Sequence, residues 1–234
     1  MTALSESEPE LDRIELADWR RQVSDLYAEV RAMAAADPEV AWNHWREVRE
    51  ALYREHPESP VPAADRAGFS ARHWPYDPAL RFELPVVSEE ASAAEADSAP
   101  VAGFGAGLGG GFGSLLLPVS TGGEQSFTRI GFLDVPFPAR ARRLGLYWMA
   151  GYAGGLFLPF RDATNGAETY GAGRYLLDAA KSADLGGDRA SRTLILDFNF
   201  AFQPSCSFDP RWSCPLSPPE NRLDIRIEAG ERLA

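Results

Sequence analysis

Side chains able to do acid–base or anion-binding chemistry gather in the last third of the chain, spaced among glycines and aromatics. Asp162 and Glu168 flank the turn signal Thr164-Asn165-Gly166. If that turn returns the chain on itself, two carboxylates share one rim and can split their pKa values as acid and base. Arg174 follows Gly171-Ala172-Gly173 and stands between Tyr170 and Tyr175, a setting in which a planar guanidinium can grip a carboxylate or phosphate. In Leu194-Ile195-Leu196-Asp197-Phe198-Asn199-Phe200, strand alternation puts Asp197 and Asn199 on one face, opposite Leu196 and Phe198. Each group also has a plainer role. Asp, Asn and Thr commonly cap turn amides, and Arg161 or Arg174 can neutralise the carboxylates within the protein.

Cys206 and Cys214 lie eight residues apart and are expected to be reduced structural thiols. A nucleophile pair of Cys206 with His73 would require the fold to join distant segments. No further thiolate or Cys-His set completes a zinc site, so no metal and no cofactor are expected. Serine-triad, HExxH and EF-hand patterns are absent. The run from Gly103 to Gly113 holds seven glycines but lacks the Lys-Ser/Thr ending of a phosphate-binding loop, and reads as a β connection.

Something must position these groups. Ser7, Pro9 and Glu10 form a helix start, and Leu11, Ile14, Trp19, Val23, Leu26, Tyr27 and Val30 recur at helical spacing over 9–35. Asp37-Pro38 repeats the signal, and Trp42, Trp45, Val48 and Leu52 form one stripe that stops near His56-Pro57. Beyond Pro62 the period falls to two. Phe82, Leu84 and Val86 mark a first strand, and further strands are expected near 114–119, 127–135, 143–149, 155–161, 174–180, 192–200 and 223–228. Residues 88–113 read as a flexible excursion. With no helices alternating among the strands, the expected fold is mainly β: an antiparallel meander forming a barrel-like or strongly curved sheet, with two N-terminal helices. The expected division is a helical region at 1–61 packed on a β domain at 62–234.

The net charge of −11 disfavours nucleic acid and anionic membrane as partners. Neither a secretory leader nor a membrane span is recognisable in the sequence, and the chain reads as cytoplasmic.

Several motifs in order resemble a family of uncharacterised bacterial and archaeal proteins, the domain of unknown function 1684. They are Tyr53-Arg54, His56-Pro57-Glu58-Ser59-Pro60, Tyr76-Asp77-Pro78, the run Phe157 to Asp162, Glu168 to Tyr175, Leu196 to Asn199, Cys214-Pro215-Leu216 and Asn221-Arg222-Leu223. The resemblance implies a shared scaffold and carries no substrate or reaction. From the residues themselves, the expected function is binding of a small polar or anionic molecule at a barrel rim made by Asp162, Glu168, Tyr170, Arg174, Asp197 and Asn199. The alternatives are a hydrolase or isomerase with Glu168 as base and Asp162 as partner, and a structural or protein-interaction module.

Overall fold

The computed structural model describes residues 12–88, 114–151 and 154–233. The glycine-rich run and all of the expected excursion except Ser88 lie outside the described residues.

Two helices open the described chain, α1 (Asp12–Ala34) and α2 (Pro38–Glu55). The second begins as the sequence dictates. The Asp37 carboxylate accepts the free amides of Glu39 and Val40 at 3.0 and 3.1 Å, and Pro38 occupies a position that needs no donor. Its buried stripe is Ala41, Trp42, Trp45, Leu52 and Tyr53, and α1 contributes Leu26, Tyr27 and Val30 to the core.

Ten strands follow: β1 (Arg72–His73), β2 (Arg81–Pro85), β3 (Ser114–Pro118), β4 (Glu124–Val135), β5 (Arg142–Met149), β6 (Gly155–Phe160), β7 (Arg174–Asp178), β8 (Gly187–Asp188), β9 (Thr193–Asp197) and β10 (Glu231–Arg232). They form three antiparallel sheets with orders β3-β4-β5-β6-β7, β2-β9-β8 and β1-β10. The five-stranded sheet buries both faces. Phe127, Tyr147, Phe157 and Tyr175 pack with the helices, whereas Leu133, Leu146, Leu158 and Leu177 pack with Leu196 of β9 and with Leu223 and Ile227 of the C-terminal segment.

Here the expectation of a mainly β, barrel-like fold is corrected. Helix and strand have near-equal shares among the described residues, and β3 and β7 remain unpaired with each other at the edges of an open sheet. Two register shifts bear on this, one between Arg129 and Gly131 of β4 and one beside Leu158 and Pro159 where β6 meets β7. An extra residue on one strand flips the faces beyond it, so Phe127 joins the helical core while Leu133 joins the opposite one. Simple alternation along the sequence hides such a change.

The expected strands at 192–200 and 223–228 are also revised. The first ends at Asp197, which caps a 3-10 turn over Phe198–Phe200. The second has the burial pattern of a strand, with Leu223 and Ile227 buried, yet no continuous ladder partner. Its backbone at Leu223 and Ile225 faces the chain after β6: Leu223 N donates to Arg161 O, and Ile225 O accepts from Ala163 N. Pro215, Pro218 and Pro219, which have no amide hydrogen, precede it.

Candidate functional site

The expected rim residues separate into distinct networks. Arg174 and Asp162 have fully buried side chains and approach to 3.4 Å. The Arg174 guanidinium also donates to the backbone carbonyls of Ile227 at 2.9 Å, of Glu231 at 3.3 Å and of Ala229. Asp162 in turn accepts the Ile227 amide at 2.7 Å and the Thr164 hydroxyl at 2.8 Å. A cation beside Trp74 and Phe160 thereby supplies the hydrogen bonds that a neighbouring strand would otherwise give to residues 227–231. Burial pushes the Arg174 pKa down, and the Asp162 charge opposes that shift.

Glu168 is half-buried and faces other partners, Arg226 and, at 3.9 Å, Arg232. The two carboxylates proposed as an acid–base pair are therefore engaged by different arginines. The turn between them is built from its own side chains, with Asn165 donating to Thr169 Oγ1 at 2.9 Å and to Tyr170 O at 2.8 Å. Asp197 and Asn199 form a bracket. Asn199 exchanges two 2.8 Å hydrogen bonds with the Asp77 backbone and donates to Asp197, which also receives the Tyr76 hydroxyl at 3.1 Å. Burial raises the Asp197 pKa against these donors. No barrel mouth collects the six residues, and the expected binding at a barrel rim is withdrawn for that reason.

A different concavity lies close to two of them. The segment leaving α2 and the C-terminal strand β10 enclose a cleft of about 260 Å³. Val61, Pro62, Phe69, Phe208 and Leu233 line it, with Asp65, Gln203, Ser207, Glu231 and Arg232 among its polar groups. The walls are held firmly. Ser59 Oγ donates to Tyr53 O at 2.6 Å and accepts the Val61 amide at 3.1 Å, and Arg66 donates to Val61 O at 3.0 Å. Phe69 and Phe208 pack edge to face at 5.8 Å. Gln203 links the cleft to Tyr170 by accepting its amide at 3.2 Å, and Leu233 N donates to Glu168 O at 2.8 Å.

Two buried atoms of this lining have no hydrogen-bond partner among the described residues: Ser207 Oγ and Arg232 Nε. Such groups are costly to leave unpaired and commonly mark a place for an absent partner. A second concavity of about 500 Å³ runs along the charged face of α2, past Arg46, Glu47, Glu50 and Arg54. Its open polar lining offers little apolar surface to bury.

The cleft lining also includes Glu231, a buried residue that sequence reasoning missed. It binds Arg49 Nε at 2.6 Å and the Gln203 amide at 2.7 Å. Its strand partner His73 has both ring nitrogens buried and without partners, set against the edges of Trp42 and Trp45. Burial lowers the His73 pKa to about 4, so the ring is neutral at physiological pH. Its unpartnered nitrogens also show that no Cys206–His73 pair forms.

Asn221 opens the motif Asn221-Arg222-Leu223. It is fully buried, accepts Gly145 N at 2.7 Å, and donates to Gly145 O at 2.9 Å and Pro159 O at 2.8 Å. One amide thus bridges β5 and β6 past the end of their ladder.

An open five-stranded sheet covered by two helices, with a C-terminal segment pinned by a buried arginine, defines the scaffold. Residues 113–232 match the family model described as "Protein of unknown function (DUF1684)", and the chain belongs to this family. The structure is similar to the solution NMR structure of the uncharacterized protein from gene locus rrnAC0354 of Haloarcula marismortui. The two share 26% identity at a TM-score of 0.56, over 86% of this chain and 96% of that one. Among curated proteins no match was found. The motifs at His56–Pro60 and Tyr76–Pro78 lie outside the residues matched by the family model. No described helix is long and apolar enough to cross a membrane.

Proposed function

We propose that the protein binds a compact, mainly apolar molecule bearing one hydrogen-bond acceptor group in the cleft between Phe69 and β10. The observation that carries this reading is the pair of unpartnered buried donors, Ser207 Oγ and Arg232 Nε, on two residues that line a cleft with the apolar side chains of Val61, Pro62, Phe69, Phe208 and Leu233. Ligand sites characteristically combine apolar walls with a few orienting polar groups. The volume of about 260 Å³ lies just below the usual range of about 300–1,000 Å³, which favours a small molecule. Phe69 and Phe208 would pack on its apolar body. Ser207 and Arg232 would donate to its carbonyl or carboxylate, with Arg232 braced on Trp74 at 4.9 Å.

A thermal-shift screen of small aromatic and branched aliphatic carboxylates and amides tests the reading. At least one compound is expected to raise the Tm of the parent chain, and to lose most of that effect in Ser207→Ala and Arg232→Gln. A bound compound with unchanged stabilisation in both folded variants, or no binder in such a library, would remove the cleft as the site.

A further inference from the structure

The Cys206 and Cys214 thiols take no part in the cleft, yet their surroundings differ from those of ordinary buried cysteines. Cys206 lies in the 3-10 turn Ser205–Ser207, and its amide donates to Cys214 Sγ at 3.3 Å. The Cys214 thiol and the Tyr170 hydroxyl act on the Cys206 sulfur, and Ser120 lies beside the pair with its hydroxyl donating to Trp212 O at 3.0 Å. These groups come from separate parts of the chain: the turn after β3, the loop after β6 and the loop before Pro215. Ser120 is fixed there by its backbone, donating to Cys214 O at 2.9 Å, while its Oγ accepts the Cys214 amide at 3.0 Å. Ser120 is exposed and Tyr170 is partly so, which leaves Cys206 one side chain beneath the surface. Both residues are buried, Cys206 at 7% exposure and Cys214 at 2%.

We propose that Cys206 and Cys214 form a redox-active dithiol that reacts with low-molecular-weight disulfides, Cys206 attacking and Cys214 resolving. The donors around Cys206 favour a negative sulfur. Its thiol pKa is lowered, first by the hydrogen bond from Cys214, with burial opposing the shift and Tyr170 adding to it. Cys214 is pushed the other way, first by that same hydrogen bond and then by burial, and so keeps its proton until the first step is over. A buried thiol in purely apolar surroundings would instead be raised and inert.

In the first step the Cys206 thiolate attacks one sulfur of the disulfide RSSR. A Cys206–S–S–R bond forms, the R–S–S–R bond breaks, and RS⁻ leaves. Cys214 then gives up its proton, to RS⁻ or to water, and its thiolate attacks the Cys206 sulfur. The intramolecular disulfide forms and the second RS⁻ departs. The protein dithiol loses two electrons, which the reagent takes up as it becomes two thiols. Cys214 Sγ lies 3.3 Å from the Cys206 amide nitrogen, so the two residues are already in contact before the bond of about 2 Å forms.

The test is incubation of the folded full-length chain with oxidised glutathione, acid quench, alkylation of remaining thiols and intact-mass analysis with peptide mapping. The expected product has lost two hydrogens, and the transient glutathione adduct maps to Cys206. Cys214→Ser should stop at a stable adduct on Cys206. Cys206→Ser should form any adduct at least about tenfold more slowly than the parent. The alkylation rate of Cys206 should reach half-maximum below the ordinary thiol pKa of about 8.5. Thiols that react only in denaturant, a first adduct on Cys214, or equal adduct rates in Cys206→Ser and parent would overturn the proposal. Should either variant fail to fold by circular dichroism, adduct mapping on the parent chain decides the matter alone.

Discussion

Asp162 and Arg174 bracket a single residue: the Asp162 carboxylate takes the amide of Ile227 at 2.7 Å, and the Arg174 guanidinium takes its carbonyl at 2.9 Å. The two side chains, 3.4 Å apart, present to residue 227 the donor and acceptor that a paired strand would have presented. Their charges neutralise one another within a core that otherwise holds Leu158, Phe160 and Ile227. The pair therefore ties the last segment of the chain to β6 and β7.

Removing one member strands a buried charge and frees backbone groups together. Arg174→Met and Asp162→Asn are each expected to cost about 3–5 kcal/mol, the range for breaking a buried ion pair. The double variant should be less destabilised than the sum of the two. Urea unfolding of the four chains checks this, and strict additivity would mean that the two side chains act independently.

Two glycines of the same motif should respond differently. Gly173 has φ +107°, and an added Cβ would lie 2.5 Å from Phe160 O, whereas Gly171 has only a contact at 3.9 Å. Gly173→Ala is expected to lower stability by about 1–3 kcal/mol, the cost of a strained backbone position. Gly171→Ala should be neutral within about 0.5 kcal/mol. Thermal melts of the two variants give the comparison directly.

Asn221 offers a chemical inversion at constant size. Asn221→Asp replaces the amide nitrogen that serves Gly145 O and Pro159 O with an oxygen. Two buried carbonyls would then face a carboxylate. A loss of more than about 2 kcal/mol is expected, since unsatisfied buried groups cost roughly 1–3 kcal/mol each. The unfolding midpoint of Asn221→Asp should rise toward that of the parent as the pH falls and the carboxylate gains a proton.

His73 should make stability fall in acid. Its folded pKa is lowered to about 4 from an ordinary 6.5, so the unfolded chain binds its proton first as the pH drops. The stabilising contribution is complete above pH 6.5 and disappears as the pH falls through 6.5 toward 4. Over that window the slope approaches about 1.4 kcal/mol per pH unit at its steepest. His73→Phe should flatten this part of the stability profile, and NMR titration of the parent imidazole should show a midpoint well below 6.5.

The local signals were legible along the chain. The Asp37-Pro38 start and the Trp42 and Trp45 stripe act at the positions where their chemistry places them. Most strands of the large sheet also lie within a few residues of the expected spans. For the polar residues, type and motif were visible but partners were not. Arg174 was read as an anion contact or as a partner for the nearby carboxylates; it pairs with Asp162, but its other partners are carbonyls more than fifty residues further along the chain. Glu231 went unnoticed because a lone Glu near the end of an acidic chain gives no local signal. Its importance comes from Arg49, 182 residues away.

By itself the sequence determined where helices begin, which residues are apolar and where the chain must turn, because capping, periodicity and backbone restriction act over a few neighbouring residues. Only the tertiary structure decided that the sheet stays open, that bulges exchange its faces, and that Asp162 and Arg174 serve a strandless segment. Those outcomes depend on register between distant segments, where one extra residue reverses every side chain beyond it. The cleft beside Phe69 has the same origin, since its two walls are joined by tertiary packing across more than a hundred residues of intervening chain.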